Sequence, residues 1–195
     1  NNTGFYITNP WSSRYRTVKN CNVLIDAATN STLISDAERK GYLGFSKTMK
    51  AHELLMNLNL TYTNGIRIDV SDPDNLGPIL DYDASIAAIA SLLDEAQSDL
   101  SGASVVFVLS PGFEGFTDAA GFTKFNRALA ARVAVYREQW SDALADLNAS
   151  FFIFSCLSNS SLGNMDSYSF LDLSRLARNS LRFISIILLY HDRFH

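Results

Sequence analysis

The sequence predicts a mainly all-α fold, helix packed on helix, with one or two short extended pieces. Two observations carry that expectation. Phe122 to Phe152 reads as two helices joined by a tight turn. Phe125, Ala128, Leu129, Arg132 and Val135 recur at helical steps in the first, Trp140, Ala143, Leu144 and Leu147 in the second, with Arg137-Glu138-Gln139 between them. Small Ala at the inner positions lets two helix axes approach closely, and Trp140 is large enough to plug the crossing. The second observation is that three earlier stretches repeat the same periodicity.

The first of these follows Asn9-Pro10, a turn signal, and runs from Trp11 to about Ala28. Trp11, Tyr15, Val18, Cys21, Leu24, Ile25 and Ala28 fall on one face, while Arg14, Arg16, Lys19 and Asp26 fall elsewhere. The second begins at Ser35 as N-cap, with Glu38 in the capping-box position, and extends to Leu60 or Tyr62. Its buried set is Leu43, Met49, Leu54, Leu55, Leu58 and Tyr62. Gly41 and Gly44 each weaken a helix by about 1 kcal/mol relative to Ala, so they are expected to serve close packing.

A long connection follows, Thr63 to Asp81. Asn64-Gly65 marks a turn, Ile66 to Val70 alternates like a short strand, and Asp72-Pro73 and Gly77-Pro78 break any helix. Connections this long are uncommon in compact domains and are often functional. The third helix is Asp83 to Leu100, with a seam of Ile86, Ile89, Leu92, Leu93, Ala96 and Leu100. Val105 to Leu109 reads as a brief strand or buried extended piece, and Pro111 to Phe116 as an aromatic loop.

The totals set outer limits. A chain of 195 residues suffices for one domain with a sizeable core. A net charge of −4 argues against nucleic acid, which calls for clustered Lys and Arg. No stretch approaches the roughly 20 apolar residues of a membrane span. Phe183 to Tyr190, the longest apolar run, is interrupted by Ser185. The opening Asn1-Asn2-Thr3-Gly4 has neither the basic start nor the apolar core of a signal peptide. Cys21 and Cys156 lie far apart without a CxxC or a His companion, so they read as buried or incidental thiols.

After Phe152 the texture changes. Ser residues crowd a region without clear periodicity, and one more helix is expected from Leu171 onward. Residues 153–195 carry four Arg and three Asp, a sum of +1, which leaves −5 for residues 1–152. The chain is therefore divided into a helical region, 1–152, and an atypical tail, 153–195.

Three segments of the helical region carry a family pattern. The first is Trp11-(x3)-Tyr15-(x5)-Cys21-Asn22-Val23-Leu24-Ile25, an aromatic-Tyr-Asn-aliphatic helix. The second is Gly44-Phe45-Ser46-Lys47-Thr48-Met49-Lys50-Ala51-His52, followed by Tyr62-Thr63-Asn64-Gly65-Ile66. The third, and most specific, is the Lys-containing, Ala-rich helix from Thr123 to Tyr136 with a tight turn into Trp140-Ser141-Asp142-Ala143-Leu144. Together they resemble the N-terminal part of the SusD/RagB family of outer-membrane nutrient-binding proteins. The resemblance covers roughly residues 5–152. A lipid-attachment cysteine behind a signal peptide and the large second half of that fold have no counterpart here, and the tail has the texture of a truncation or a shifted reading frame.

The resemblance implies a scaffold of tetratricopeptide-like helix pairs on a cell-surface lipoprotein. It implies a SusC-type TonB-dependent transporter as partner, an oligosaccharide or peptide as ligand, and no catalysis. Contact with the membrane would run only through the lipid anchor. The alternative is a cytoplasmic tetratricopeptide-like protein-interaction module, although no 34-residue period is visible beyond one helix pair.

For ligand capture, aromatic rings stack on the apolar faces of sugars while amides and guanidinium groups bond their hydroxyls. Tyr62, Asn64 and Arg67 offer that set at the mouth of the long connection, which in the family lies towards the ligand. A plainer account has Tyr62 capping the core of a hairpin-like turn. The Phe113 and Phe116 loop either presents rings or plugs the open end of the last hairpin. Trp11 and Trp140 sit at core spacing. Asp72-Pro73-Asp74-Asn75-Leu76-Gly77 matches a calcium loop at its Gly, but Leu76 occupies a ligand place and Asp83 stands where Glu is needed, which favours a solvated acidic loop. His52, His191 and His195 form no HExxH pattern, and no GxSxG, Walker or GxGxxG sequence occurs, so neither an enzyme nor a metal or cofactor is expected.

Overall fold

A computed structural model describes residues 4–151. The expected tail, Cys156, His191, His195 and the helix expected from Leu171 lie outside those residues. Within them the fold is mainly helical. Five helices, α1 (Gly4–Asn30), α2 (Asp36–Thr61), α3 (Tyr82–Leu100), α4 (Ala119–Tyr136) and α5 (Trp140–Ala149), are joined by one two-stranded ribbon, β1 (Ile66–Arg67) and β2 (Ile79–Leu80). Each helix packs chiefly on its neighbours in the chain, and successive helices run antiparallel.

Local chemistry fixes most helix starts. Ser35 Oγ accepts from the Glu38 amide while the Glu38 carboxylate accepts from the Ser35 amide, a complete capping box on α2. Asp81 caps α3 through the Ala84 amide and Asp118 caps α4 through the Gly121 amide. The Asp118 cap starts α4 at Ala119 rather than at Phe122. Another boundary also moves. The helix expected from Trp11 begins at Gly4 and passes through Pro10. Proline there has no N–H to bond the Tyr6 carbonyl, so α1 forgoes one backbone bond between its first turns and the rest of the helix.

The core is a layer shared by α1, α2, α3 and α4, centred on Val18, Leu54, Leu58, Ile89, Leu93 and Val133. Gly41 and Gly44 permit it. A Cβ on Gly41 would stand 2.3 Å from the Ser104 carbonyl oxygen, and one on Gly44 would stand 2.5 Å from Leu100 Cγ. Ala128 and Ala131 are buried, as a close helix seam requires. Arg132, Val135, Leu43, Met49 and Trp140, expected inside, are only half-buried, while Asn126 and Arg127 are buried instead.

Residues 105–109 form no strand; Val106 and Val108 are exposed at 52% and 98%, while Val105, Phe107 and Leu109 are half-buried. The aromatic loop does plug the hairpin's open end. Phe113 and Phe122 join Leu100 in a second apolar cluster, with Phe45, Phe116 and Phe125 against it.

Candidate functional site

The connection between α2 and α3 builds a cleft with α1. A short 3-10 turn, Tyr62–Asn64, leads through Gly65 into β1. β1 pairs antiparallel with β2, Ile66 opposite Leu80 and Arg67 opposite Ile79. Ile66 is buried at 1% exposure, so its neighbour Arg67 turns to the opposite face. The second strand lies in a segment that reads as breakers in sequence, and β1 covers only the first two of the five residues expected to be extended.

Tyr15 on α1 anchors this ribbon. Its hydroxyl donates to the Arg67 carbonyl at 2.9 Å and accepts from the Arg67 amide at 3.1 Å. A side chain thus stands where a third strand would bond. Burial pushes the Tyr15 hydroxyl above the ordinary phenol range despite the bond to Arg67, which keeps its proton in place for that donation. The Arg67 guanidinium in turn donates to the Gly77 carbonyl, and the Gly77 amide donates to the Asp69 carbonyl. The loop between the strands is folded back on its own base.

Between α1 and the ribbon lies an open cleft of about 520 Å³, within the range of small-molecule sites. Trp11 and Tyr15 wall one side, their rings 4.8 Å apart and edge-on. Arg67, Val70, Leu76 and Ile79 wall the other, with Lys19 at the margin. Leu76 and Ile79 are 46% and 60% exposed, an open apolar surface beside two cations.

Of the residues expected to bind ligand, the structure brings only Arg67 to this cleft. Tyr62 is not a core residue: it is 63% exposed, with its ring 5.1 Å from that of Tyr82. Asn64 is exposed in the turn and does not line the cleft. Trp11 and Tyr15, assigned to the core by spacing, are half-buried cleft walls. The available signal was the run of apolar residues Ile68, Val70, Leu76 and Ile79 in an acidic loop, which needs an apolar partner.

Two of the acidic loop's carboxylates are engaged in turns. Asp69 accepts from the Ser71 hydroxyl and amide, which hold its carboxyl below the usual range, and Asp72 accepts from the Asp74 amide. Among the described residues no three His, Cys, Asp or Glu side chains gather as a metal site. A smaller cleft of about 230 Å³ between α3, α4 and α5 contains Arg127, whose donors are already taken by Asp94, Asp146, Asn126 and the Leu93 carbonyl. No helix among the described residues is long and apolar enough to cross a membrane. No protein-family model, curated protein or solved structure matches the chain.

Proposed function

We propose that this chain is the helical part of a cell-surface nutrient-binding protein of the SusD/RagB type, which captures an oligosaccharide or peptide for a SusC-type TonB-dependent transporter at the outer membrane without altering it. The observation that carries this reading is the cleft between α1 and the ribbon, where Trp11 offers a ring and Arg67 a cation across an open apolar floor. A pyranose has apolar faces and polar edges, and that pairing suits both. The sequence segments that resemble the family become α1, α2 and the α4–α5 hairpin, which is consistent with tetratricopeptide-like pairing.

Tryptophan fluorescence tests the site. In a Trp140→Phe background, Trp11 is the reporter. Linear gluco-, xylo- and manno-oligosaccharides and short peptides are titrated, with calorimetry in parallel. Sub-millimolar binding with a change in Trp11 emission is expected, and Trp11→Ala should weaken it by up to about tenfold. A flat response to every saccharide and peptide would sink the proposal.

The cytoplasmic interaction module remains a second reading, favoured by the packing of each helix on its chain neighbours. Cell fractionation separates the two. Recovery with the outer membrane supports nutrient capture, and recovery in the cytosol supports the module.

A further inference from the structure

The cleft between α1 and the ribbon is charged in the opposite sense to the chain that builds it. Residues 1–152 carry a net −5, yet the cleft walls include two cations, Lys19 and Arg67, and no carboxylate. The acidic loop lies directly beside it. Val70, Pro73 and Leu76 of that loop line the cleft, whereas Asp69, Asp72 and Asp74, all exposed, do not. On the opposite wall, α1 carries Arg14, Arg16 and Lys19 and meets its first carboxylate only at Asp26.

Neither cation is neutralised by an acid of this chain. Lys19 is exposed and makes no hydrogen bond or ion pair among the described residues. Arg67 donates through one terminal nitrogen to the Gly77 carbonyl, which holds the guanidinium on the ribbon. Its Nε and other terminal nitrogen have no acceptor among the described residues. A guanidinium tethered at one corner presents its remaining donors to a planar carboxylate, and Lys19 adds a point charge at the margin. Apolar walls beside them reduce the screening that open water would impose. A neutral sugar uses neither charge. An acidic peptide uses both, but its carboxylates hang on flexible stems that must be ordered on binding. A uronic acid carries its carboxylate directly on a ring whose apolar face suits Trp11.

We propose that the cleft selects an anionic ligand, an oligosaccharide of uronic acid residues, with a carboxylate held by Arg67 and Lys19 and a sugar ring against Trp11. This rests on the reading of the cleft as a saccharide site and adds to it a sign of charge.

Calorimetry on the full chain with a linear tetragalacturonate and its fully methyl-esterified form, which has the same rings and no charge, tests the selection. At low salt the acid should bind about tenfold more tightly than the ester. In about 1 M sodium chloride, where the Debye length falls to about 3 Å, most of that preference should vanish. Arg67→Gln removes the charge while keeping a donor for the Gly77 carbonyl, and Lys19→Gln changes an exposed side chain. Both should weaken the acid more than the ester, Lys19→Gln by about two- to threefold and Arg67→Gln by more. Arg16→Gln, which removes an exposed cation of the same helix outside the cleft, should leave the preference within about twofold. Equal affinity for acid and ester at low salt overturns the charge selection and leaves the saccharide cleft standing. A full preference in both Lys19→Gln and Arg67→Gln overturns the assignment of the carboxylate to these two residues. Binding of a short polyglutamate peptide but of neither saccharide, or of nothing at all, overturns both the selection and the saccharide reading beneath it.

Discussion

Arg127 ties three helices together. It is 4% exposed, and its guanidinium donates to Asp94 on α3, to Asp146 on α5, to the Leu93 carbonyl and to Asn126 beside it. Asn126 continues the network to Thr48 on α2. Such a charge is stabilising only with its partners in place, and removing one side leaves the other buried and uncompensated. Arg127→Leu should therefore cost about 3–5 kcal/mol in urea unfolding. The loss should carry a pH signature. Burial holds the Asp146 carboxyl above its ordinary 3.8 even with Arg127 beside it. A folded pKa raised above the unfolded value means that the stability associated with Asp146 is greatest below the unfolded pKa and falls as pH rises through the folded one. Arg127 is what lowers that pKa, so in Arg127→Leu it should rise further, the deficit should shrink on acidification, and a deficit independent of pH would assign the cost to packing alone. The sequence does not single out this arginine. In an Ala-rich helix bearing Arg127 and Arg132, periodicity favours Arg132 on the inner side, yet the choice is made by carboxylates on α3 and α5 that no local window contains.

At the scale of the element, what was legible is what local chemistry decides. The Ser35–Glu38 box, the close packing at Gly41 and Gly44 and the seam of α3 all follow from residue type and spacing. The ribbon was only half legible, because β2 has no pattern of its own. Ile79–Leu80 is a strand because Gly65 brings β1 against it and Tyr15 secures the far edge. The same distance in sequence, 52 positions, hid the cleft. The two helix glycines offer a measurement. Gly→Ala gains about 1 kcal/mol of helix propensity, and overpacking costs about 1–3 kcal/mol. At Gly41 the obstruction is the backbone carbonyl of Ser104, which cannot step aside, so Gly41→Ala should be destabilising overall. At Gly44 the nearest atoms are those of the buried Leu100 side chain, with the Ala96 carbonyl oxygen behind at 3.1 Å, so Gly44→Ala should also destabilise but lose less, since a side chain yields before a backbone does. Denaturant midpoints with an unchanged slope will rank them, and the reverse order would mean that the Ser104 segment is the softer neighbour.

Over the whole molecule, antiparallel packing sorts the aromatics by end. The starts of α1, α3 and α5 and the finishes of α2 and α4 share one end, which holds Tyr6, Trp11, Tyr15, Tyr62, Tyr82, Tyr136 and Trp140, with Phe5 the one phenylalanine there among the described residues. The other end holds Phe45, Phe113, Phe116, Phe122 and Phe125, with Tyr42 stacked on Phe107 at 4.9 Å. Tyr and Trp carry a polar handle and suit a wet surface, whereas Phe has none and is best buried. The sorting divides labour: the Phe end closes the array and the Tyr/Trp end faces the proposed ligand. Phe122, at 1% exposure, contacts Phe45, Phe113 and Phe125 within ring centroid distances of 5.2 to 6.0 Å. Phe122→Ala should cost about 3–5 kcal/mol of stability, yet leave oligosaccharide affinity within about twofold when measured well below its unfolding midpoint, a difference too small to reflect a lost contact. Trp11→Ala should do the converse, giving up affinity with a smaller change in midpoint because its side chain is only half-buried. Between the ends lies the buried apolar layer of Leu54, Leu58, Ile89 and Leu93. Weakened binding in Phe122→Ala under native conditions would show that the two ends are coupled through that layer, and the division of labour would fall with it.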